Sequence, residues 1–290
     1  MLLQIDSIQL SFSGIRAIQD VSLEVGEGEL LAVIGPNGAG KTSLFNCISG
    51  LYRPDTGSIQ FQGKELTKLP PYEIASLGLA RMFQNLALFE HLTVLENLLV
   101  GRHQLFKSHW WQDLFWTSKT KKQEVEHRTF VEEIIDFLDL ERYRLFPVGI
   151  LPYGVRKRVE LGRALCMEPK LLLMDEPAAG LNQEETEDLA RYLLDIKEEL
   201  HITQILIEHE LRFVLDLADR IAVLDFGQKI AEGVPEDIQK DERVIEAYIG
   251  GKKFDEEVSE PTDEDPSSEE STGSEEANGA ENSESSEAQS

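Results

Sequence analysis

Eight consecutive residues, Gly35-Pro36-Asn37-Gly38-Ala39-Gly40-Lys41-Thr42, have types and spacing suited to binding phosphate. They follow G-x-x-x-x-G-K-[ST], a loop whose backbone N–H groups surround phosphate oxygens. Its glycines let the backbone turn and approach a ligand closely. The N–H groups form an anion nest, and the start of a following helix adds partial positive charge. Lys41 supplies a full charge for the β- and γ-phosphates of a nucleoside triphosphate, and the Thr42 hydroxyl is placed to hold Mg²⁺. A second constellation is Asp175-Glu176. Such pairs are common on solvated surfaces. Here the apolar run Leu171-Leu172-Leu173-Met174 before it and Pro177 after it put the pair at the tip of a buried strand, where ligands bind in an α/β sheet. One carboxylate there can hold Mg²⁺ through water while its neighbour polarises the attacking water. His209 stands at the tip of another predicted strand, where it is either functional or simply a histidine at a helix N-terminus. Phe12, at the end of the first strand, either stacks on a base or covers the sheet edge.

These residues need elements to position them. Leu30 to Ile34 is an apolar run of strand length, and Ser43 to Ser49 is apolar at helical spacing, so a strand delivers the loop and a helix leaves it. Residues 2–12 and Val21 to Val25 alternate apolar and polar, with Gly26 to Gly28 as a turn; they pair as an antiparallel sheet. Gly50 to Gly57 stops the helix and turns, Ser58 to Lys64 is a strand entering a tight turn, and Pro70-Pro71 opens a short helix ending near Gly78. Leu79 to Phe83 is a further strand, followed by Gln84. From about 92 to 165 the pattern is helical, an inserted subdomain that includes Val94 to Val100 and Phe130 to Leu140. Within it, His109 to Trp116 and three nearby lysines form either a membrane-interface stretch or a solvated hairpin. Leu171 to Asp175, Thr203 to Ile207 and Ile221 to Leu224 are buried strands, and Asn182 to Leu200 is a charged helix. The segment Gly233 to Ile238 caps a last helix that reaches Tyr248. Buried strands alternating with helices give an α/β fold with a parallel core sheet.

The chain has 290 residues and a net charge of −26. Residues 252–290 hold 14 acidic residues against two Lys and almost no large apolar side chains. That stretch is expected to be disordered, as either a solubilising extension or a self-inhibitory arm. The acidic body argues against nucleic acid as a partner. No apolar run is long enough to span a bilayer, and the N-terminus lacks the pattern of a signal peptide, which points to the cytoplasm. Cys47 and Cys166 each sit in apolar helical patterns and read as buried thiols.

Over residues 1–251 the chain resembles an ATP-binding-cassette (ABC) transporter ATPase. Phe12 matches the family's adenine-stacking aromatic, Gly35 to Thr42 its Walker A loop, and Gln84 the glutamine that senses Mg²⁺ and the transmembrane partner. Leu151-Pro152-Tyr153-Gly154-Val155 falls where the family has its Leu-Ser-Gly-Gly-Gln signature. Leu171 to Asp175 matches Walker B, Glu176 the catalytic glutamate, Ala179 to Asn182 the D-loop, and His209 the switch histidine. Arg81 to Phe89, Asp175 to Asn182, Ile207 to Glu210 and the ending from Gly233 to Gly250 resemble one subgroup, the first of two ATPase subunits in branched-chain and neutral amino acid importers.

The resemblance implies a P-loop NTPase with an antiparallel β subdomain and an inserted helical subdomain at about 85–165. ATP would lie on Gly35 to Ser43. Mg²⁺ would be held by Thr42, Gln84 and, through water, Asp175, while Lys41, Glu176 and His209 would act in hydrolysis. It also implies a second ATPase subunit bound head to tail, permease subunits, an extracytoplasmic solute-binding protein, and a peripheral position on the cytoplasmic face of the membrane. The alternatives are a cassette for another solute, such as urea or lipopolysaccharide, and a catalytically weak regulatory partner cassette. Three signature residues depart from the family: Pro152 replaces Ser, Tyr153 the first Gly, and Val155 Gln. The family's segment reaches across a dimer to the partner's γ-phosphate, so this loss predicts an asymmetric heterodimer, with hydrolysis at that composite site weakened by about 10²–10³-fold. Arg156, Lys157 and Arg158 are expected to substitute in part as charge. Asn182, where the wider family has Asp, is a milder change.

Overall fold

The computed structural model describes residues 1–82, 86–105, 118–209 and 211–249. Two long strands, β1 (Leu3–Phe12) and β2 (Ile15–Val25), precede β3 (Leu30–Ile34) and helix α1 (Lys41–Ile48). Then come β4 (Thr56–Phe61), β5 (Lys64–Glu65), α2 (Pro71–Ser76) and β6 (Leu79–Met82). Helices α3 (Val94–Arg102), α4 (Ser118–Phe137) and α5 (Tyr153–Leu165) follow. The second half runs β7 (Leu171–Asp175), α6 (Gln183–Glu198), β8 (Thr203–Ile207), α7 (Leu211–Leu217), β9 (Arg220–Asp225) and β10 (Gln228–Gly233). The short helices α8 (Pro235–Ile238) and α9 (Glu242–Ile249) close it.

The strands form two sheets. One is antiparallel in the order β2-β1-β4-β5; the other runs β10-β9-β3-β8-β7-β6 and is parallel except for its β10 edge. Strands β3, β7 and β8 are buried at every position, which is why they read as continuous Leu, Val and Ile runs rather than alternating ones. Successive side chains still point to opposite faces. Leu31, Val33, Leu171, Leu173, Ile205 and Ile207 pack with α1 and the antiparallel sheet. Leu30, Ala32, Ile34, Leu172, Met174 and Leu206 pack with the helices on the other side. Parallel direction and register bring three strand ends to one edge: Val33 and Asp175 both pair with Ile207. Everything that follows β3, β7 and β8 therefore meets at that edge.

The elements expected from sequence are present, with four differences. Strand β2 starts at Ile15 rather than Val21, because its first half pairs with Leu10 to Phe12 across a tight turn. The stretch between Leu138 and Leu151 is not α-helix; it carries two 3₁₀ turns, at Glu141–Tyr143 and Val148–Ile150. Strand β10 was hidden by its sequence, Gln228 to Gly233, which has few apolar residues because the strand is a half-exposed edge. The last helix is two, separated at residues 239–241, where Asp241 accepts the Arg243 N–H and restarts the turn. Asn182 is the N-cap of α6, forming a capping box with Glu185. Phe83, Gln84, Asn85, the His109 to Trp116 stretch, Glu210 and the acidic tail lie outside the described residues.

Candidate functional site

The loop after β3 is folded by close approach. Gly35 has φ 149° and packs so tightly that a Cβ there would collide with the Leu224 carbonyl oxygen; at Gly40, with φ 100°, the obstacle would be the Ala17 carbonyl. Gly227 N–H donates to the Ala39 oxygen and fixes the loop's far side. Helix α1 begins at Lys41, with Gly40 as its N-cap and no side chain over its first N–H groups, so those donors face the loop. Lys41 is buried, and its Nζ donates to the carbonyl oxygens of Gly35 at 2.6 Å and Pro36 at 3.0 Å. Burial pulls its pKa down, while Glu176 and Asp175 pull it up.

At the end of β7, Asp175 is 2% exposed. Its Oδ2 accepts from Arg81 Nη2 at 3.2 Å, while Oδ1 is buried with no hydrogen-bond partner among the described residues. Burial pushes this carboxyl up, chiefly against the pull of the Arg81 guanidinium. An unsatisfied carboxylate oxygen costs stability unless a cation or donor meets it. With the Thr42 hydroxyl at the start of α1, it makes a hard-oxygen donor set that fits Mg²⁺.

Glu176 follows with φ 51°, a conformation uncommon for a residue other than glycine. Its N–H donates to the Ile207 oxygen at 2.8 Å, and its Oε1 meets His209 Nε2. The two residues leave neighbouring strand tips, so the pair predicted separately in the sequence is one contact. Between them, buried Glu208 accepts from Ala178 N–H at 2.8 Å and from His209 N–H at 3.1 Å. It fixes the starts of both following loops. Phe12 is 42% exposed, with its ring edge-on to Tyr52 at 5.1 Å.

The segment Leu151 to Val155 opens α5. Pro152 is the N-cap, with φ −53° and no side-chain bond to the helix. Leu151, Gly154 and Val155 are buried. The Tyr153 ring lies against Gly180, where an added Cβ would sit 3.2 Å from Cε1; a Cβ on Gly154 would strike the Glu185 carboxylate. The segment thus rests on the loop that follows Glu176 in its own chain. The expected charge substitution is corrected for two of the three basic residues. Lys157 is 1% exposed, and Arg158 donates inward to the Leu138 carbonyl and the Tyr192 hydroxyl. Arg156 is partly exposed, with its guanidinium 5.8 Å from the Tyr153 ring centre.

Sequence reading missed Arg81, whose guanidinium also donates to Asn46 Oδ1 at 2.7 Å and Ser49 Oγ at 3.1 Å. One fork therefore joins β6, α1 and the tip of β7. A charged residue inside the apolar stretch Leu79-Ala80-Arg81-Met82 was the available signal, since buried charge needs a partner. Both cysteines are free and buried, as expected, and burial pushes each thiol up to about 12.

Comparisons with known proteins agree with this geometry. The family model described as "ABC transporter" matches residues 18–179. One described as "Branched-chain amino acid ATP-binding cassette transporter" matches residues 228–253. The high-affinity branched-chain amino acid transport ATP-binding protein BraF of Pseudomonas aeruginosa is 37% identical over 249 residues, covering 86% of this chain and 98% of its own length. The corresponding protein LivG of Escherichia coli K12 is 36% identical with the same coverage. Among solved structures, the ADP conformation of MJ1267, an ATP-binding cassette of an ABC transporter, superposes with a TM-score of 0.75 at 36% identity, covering 86% of this chain and 98% of that one. A nucleotide-free ATP-binding cassette from an ABC transporter gives 0.74 at 35% identity, with coverage of 86% and 99%.

Proposed function

Because this chain belongs to the ABC transporter ATPases, we propose that it is the ATP-hydrolysing subunit of a membrane importer for branched-chain or neutral amino acids. The Glu176 to His209 contact, set beside the phosphate loop, carries the catalytic part of this reading. Similarity to BraF and LivG over almost their whole lengths supports the solute class.

The loop N–H groups, the start of α1 and Lys41 bind the triphosphate. Thr42, Gln84 and, through water, Asp175 would hold Mg²⁺, which would neutralise the charge that develops on the phosphates. Arg81 occupies one Asp175 oxygen and leaves Oδ1 for that role. The Glu176 carboxylate orients the attacking water and accepts its proton, and His209 holds the carboxylate in place. Two cassettes close head to tail, so each ATP also meets the partner's signature segment. Pro152 contributes no side-chain donor there, which favours an asymmetric heterodimer in which this chain's own ATP site is the stronger one.

Coupling to a permease at the cytoplasmic face is supported by a stitched loop. Gly149 N–H donates to Glu90 O at 2.9 Å, Val148 N–H to Leu92 O at 3.0 Å, and Val94 N–H to Phe146 O at 3.1 Å. Phe89, Leu145, Phe146 and Ile150 are exposed around it, an apolar surface suited to a partner. Movement at Phe89 is thereby passed to Leu151 and the start of α5. Among the described residues no helix is long and apolar enough to cross a membrane.

The test is uptake of a panel of amino acids and urea by the reconstituted complex, with and without Glu176→Gln. Expected are uptake of branched-chain or neutral amino acids and its loss in the variant. Uptake of urea alone would overturn the solute class; unchanged uptake by the variant would overturn the role of Glu176.

A further inference from the structure

Asn97 closes the first turn of α3 and is 0% exposed, on the buried face that Val94, Leu98 and Gly101 share. A buried carboxamide costs stability unless its donors and its acceptor find partners. All of its partners are backbone groups of the segment leading into the helix. Its Oδ1 accepts from the Phe89 N–H at 2.9 Å. Its Nδ2 donates to the carbonyl oxygens of Phe89 at 3.0 Å, Thr93 at 3.0 Å and Leu92 at 3.3 Å. A carboxamide carries the same donor and acceptor as a peptide group. Asn97 therefore grips both backbone polar groups of Phe89 at once, as a neighbouring strand would.

The helix has other means of starting. Thr93 and Glu96 form a capping box at its N-terminus, and the Asn97 N–H already bonds the Thr93 oxygen at 2.9 Å. Asparagine is also a weaker helix former than leucine. The three carbonyls that Asn97 reaches each accept a backbone N–H as well: Leu92 to Phe89 at 3.0 Å, Val148 to Leu92 at 3.0 Å, and Asn97 itself to Thr93. The segment is held from two further sides, by Arg163 of α5 donating to the Ala87 oxygen and by Gly149 N–H donating to the Glu90 oxygen at 2.9 Å. Asn97 adds the hold on the Phe89 N–H and ties that residue directly to α3. The Phe89 side chain itself is 53% exposed. An apolar ring thus stands in solvent on a backbone pinned at both of its polar atoms.

We propose that Asn97 is a positioning residue for coupling: its buried carboxamide clamps the Phe89 backbone to α3, so that a force on the exposed Phe89 ring moves the helix instead of bending the loop. Such a clamp transmits displacement in both directions, from the permease to the helices and back. A loop released from it would yield locally, and hydrolysis and uptake would run with less regard for each other. This rests on the reading of the Phe89 surface as the one that meets the permease.

The experiment uses the full-length chain reconstituted in vesicles with its partner cassette, permease subunits and solute-binding protein. Uptake of leucine and alanine and hydrolysis of ATP are measured together for the parent, Asn97→Leu and Asn97→Ala, below the unfolding temperature of each complex. Asn97→Leu keeps the approximate size of the side chain and removes every hydrogen bond it makes. The readout is solute taken up per ATP hydrolysed. A merely structural loss of active complex lowers both rates together and leaves this ratio unchanged. The ratio is expected to fall by about 3- to 30-fold in Asn97→Leu, the scale on which residues between two sites alter their coupling. KM for ATP stays within about twofold, because the phosphate loop is untouched. A ratio that falls by less than threefold overturns the proposal, as does a KM for ATP that rises by more than twofold. Asn97→Ala is read by the same criteria, and failure of both variants to assemble makes the residue structural and overturns the proposal. A parent complex that hydrolyses ATP but takes up neither amino acid would refute the importer reading itself, which separates the two failures.

Discussion

Replacing Arg81 by Met should destabilise the chain more than any surface substitution. The Arg81 and Asp175 side chains are 8% and 3% exposed and 3.2 Å apart. Removing one partner of such a pair leaves the other charge buried and uncompensated, at a cost of about 3–5 kcal/mol. The same substitution abandons Asn46 Oδ1 and Ser49 Oγ. For a domain of this size, each kcal/mol corresponds to about 2–4 °C in Tm, so the fall should be roughly 6–20 °C. The assay is thermal and urea unfolding followed by circular dichroism. Adding Asp175→Asn removes the orphaned charge, so the double variant should be more stable than Arg81→Met alone. The pH dependence has a definite sign. Burial raises the Asp175 carboxyl in the folded state, so the folded chain binds this proton more readily than the unfolded chain does. Stability from this group falls as pH rises from the ordinary aspartate value through the raised one. Loss of Arg81 raises it further, so the deficit of Arg81→Met should shrink on acidification across that window. A loss below about 1 kcal/mol, or a double variant no better than the single one, would refute the reasoning.

Other consequences are open to direct measurement. Gly35→Ala forces a Cβ into the Leu224 carbonyl at φ 149°, a strain of at least about 1–3 kcal/mol; titration with a fluorescent ATP analogue should show weakened binding. Asn182→Ala removes the α6 cap and should cost about 1 kcal/mol, read as a lower urea midpoint. Pro152→Ser gives α5 a capping hydroxyl where it has none, so Tm should rise by a few degrees, on the basis of about 0.5–2 kcal/mol, and hydrolysis of the partner's ATP should quicken. With thiols near 12, Cys47 and Cys166 should resist a thiol reagent at pH 8 until the chain unfolds.

The site was legible wherever one local pattern fixes one geometry. The strand, glycine loop and helix around Gly35 to Thr42 are determined by neighbours in sequence, and the apolar run before Asp175 places the carboxylate pair at a strand tip. What could not be read depends on contacts between distant segments. Arg81 and Asp175 are 94 positions apart, and only the β6 to β7 pairing brings them together. Lys157 reads as part of a basic run that should face water, yet helical rotation turns it inward while Arg156 stays partly outside. Strand β10 lacks the apolar alternation that reveals a strand, because it covers an edge rather than a core. That Pro152 leaves α5 uncapped was visible; that Tyr153 and Gly154 rest on the loop of Gly180 and on Glu185 was not, since it requires two loops to fold against each other.

That last contact bears on how the signature segment can be exchanged. The Tyr153 ring packs over position 180, which has no side chain, and the Glu185 carboxylate fills the space beside Gly154. The two stretches form a lock and key within one chain. A signature transplanted from another cassette would bring Gly at 153 and leave a gap over Gly180. A D-loop transplanted with a residue other than Gly at 180 would have to hold φ near 80° and would press its Cβ to 3.2 Å from the Tyr153 ring, which would have to shift. Neither stretch is a portable cassette part; chimaeras of this subunit should function when residues 151–155 and 179–185 travel together.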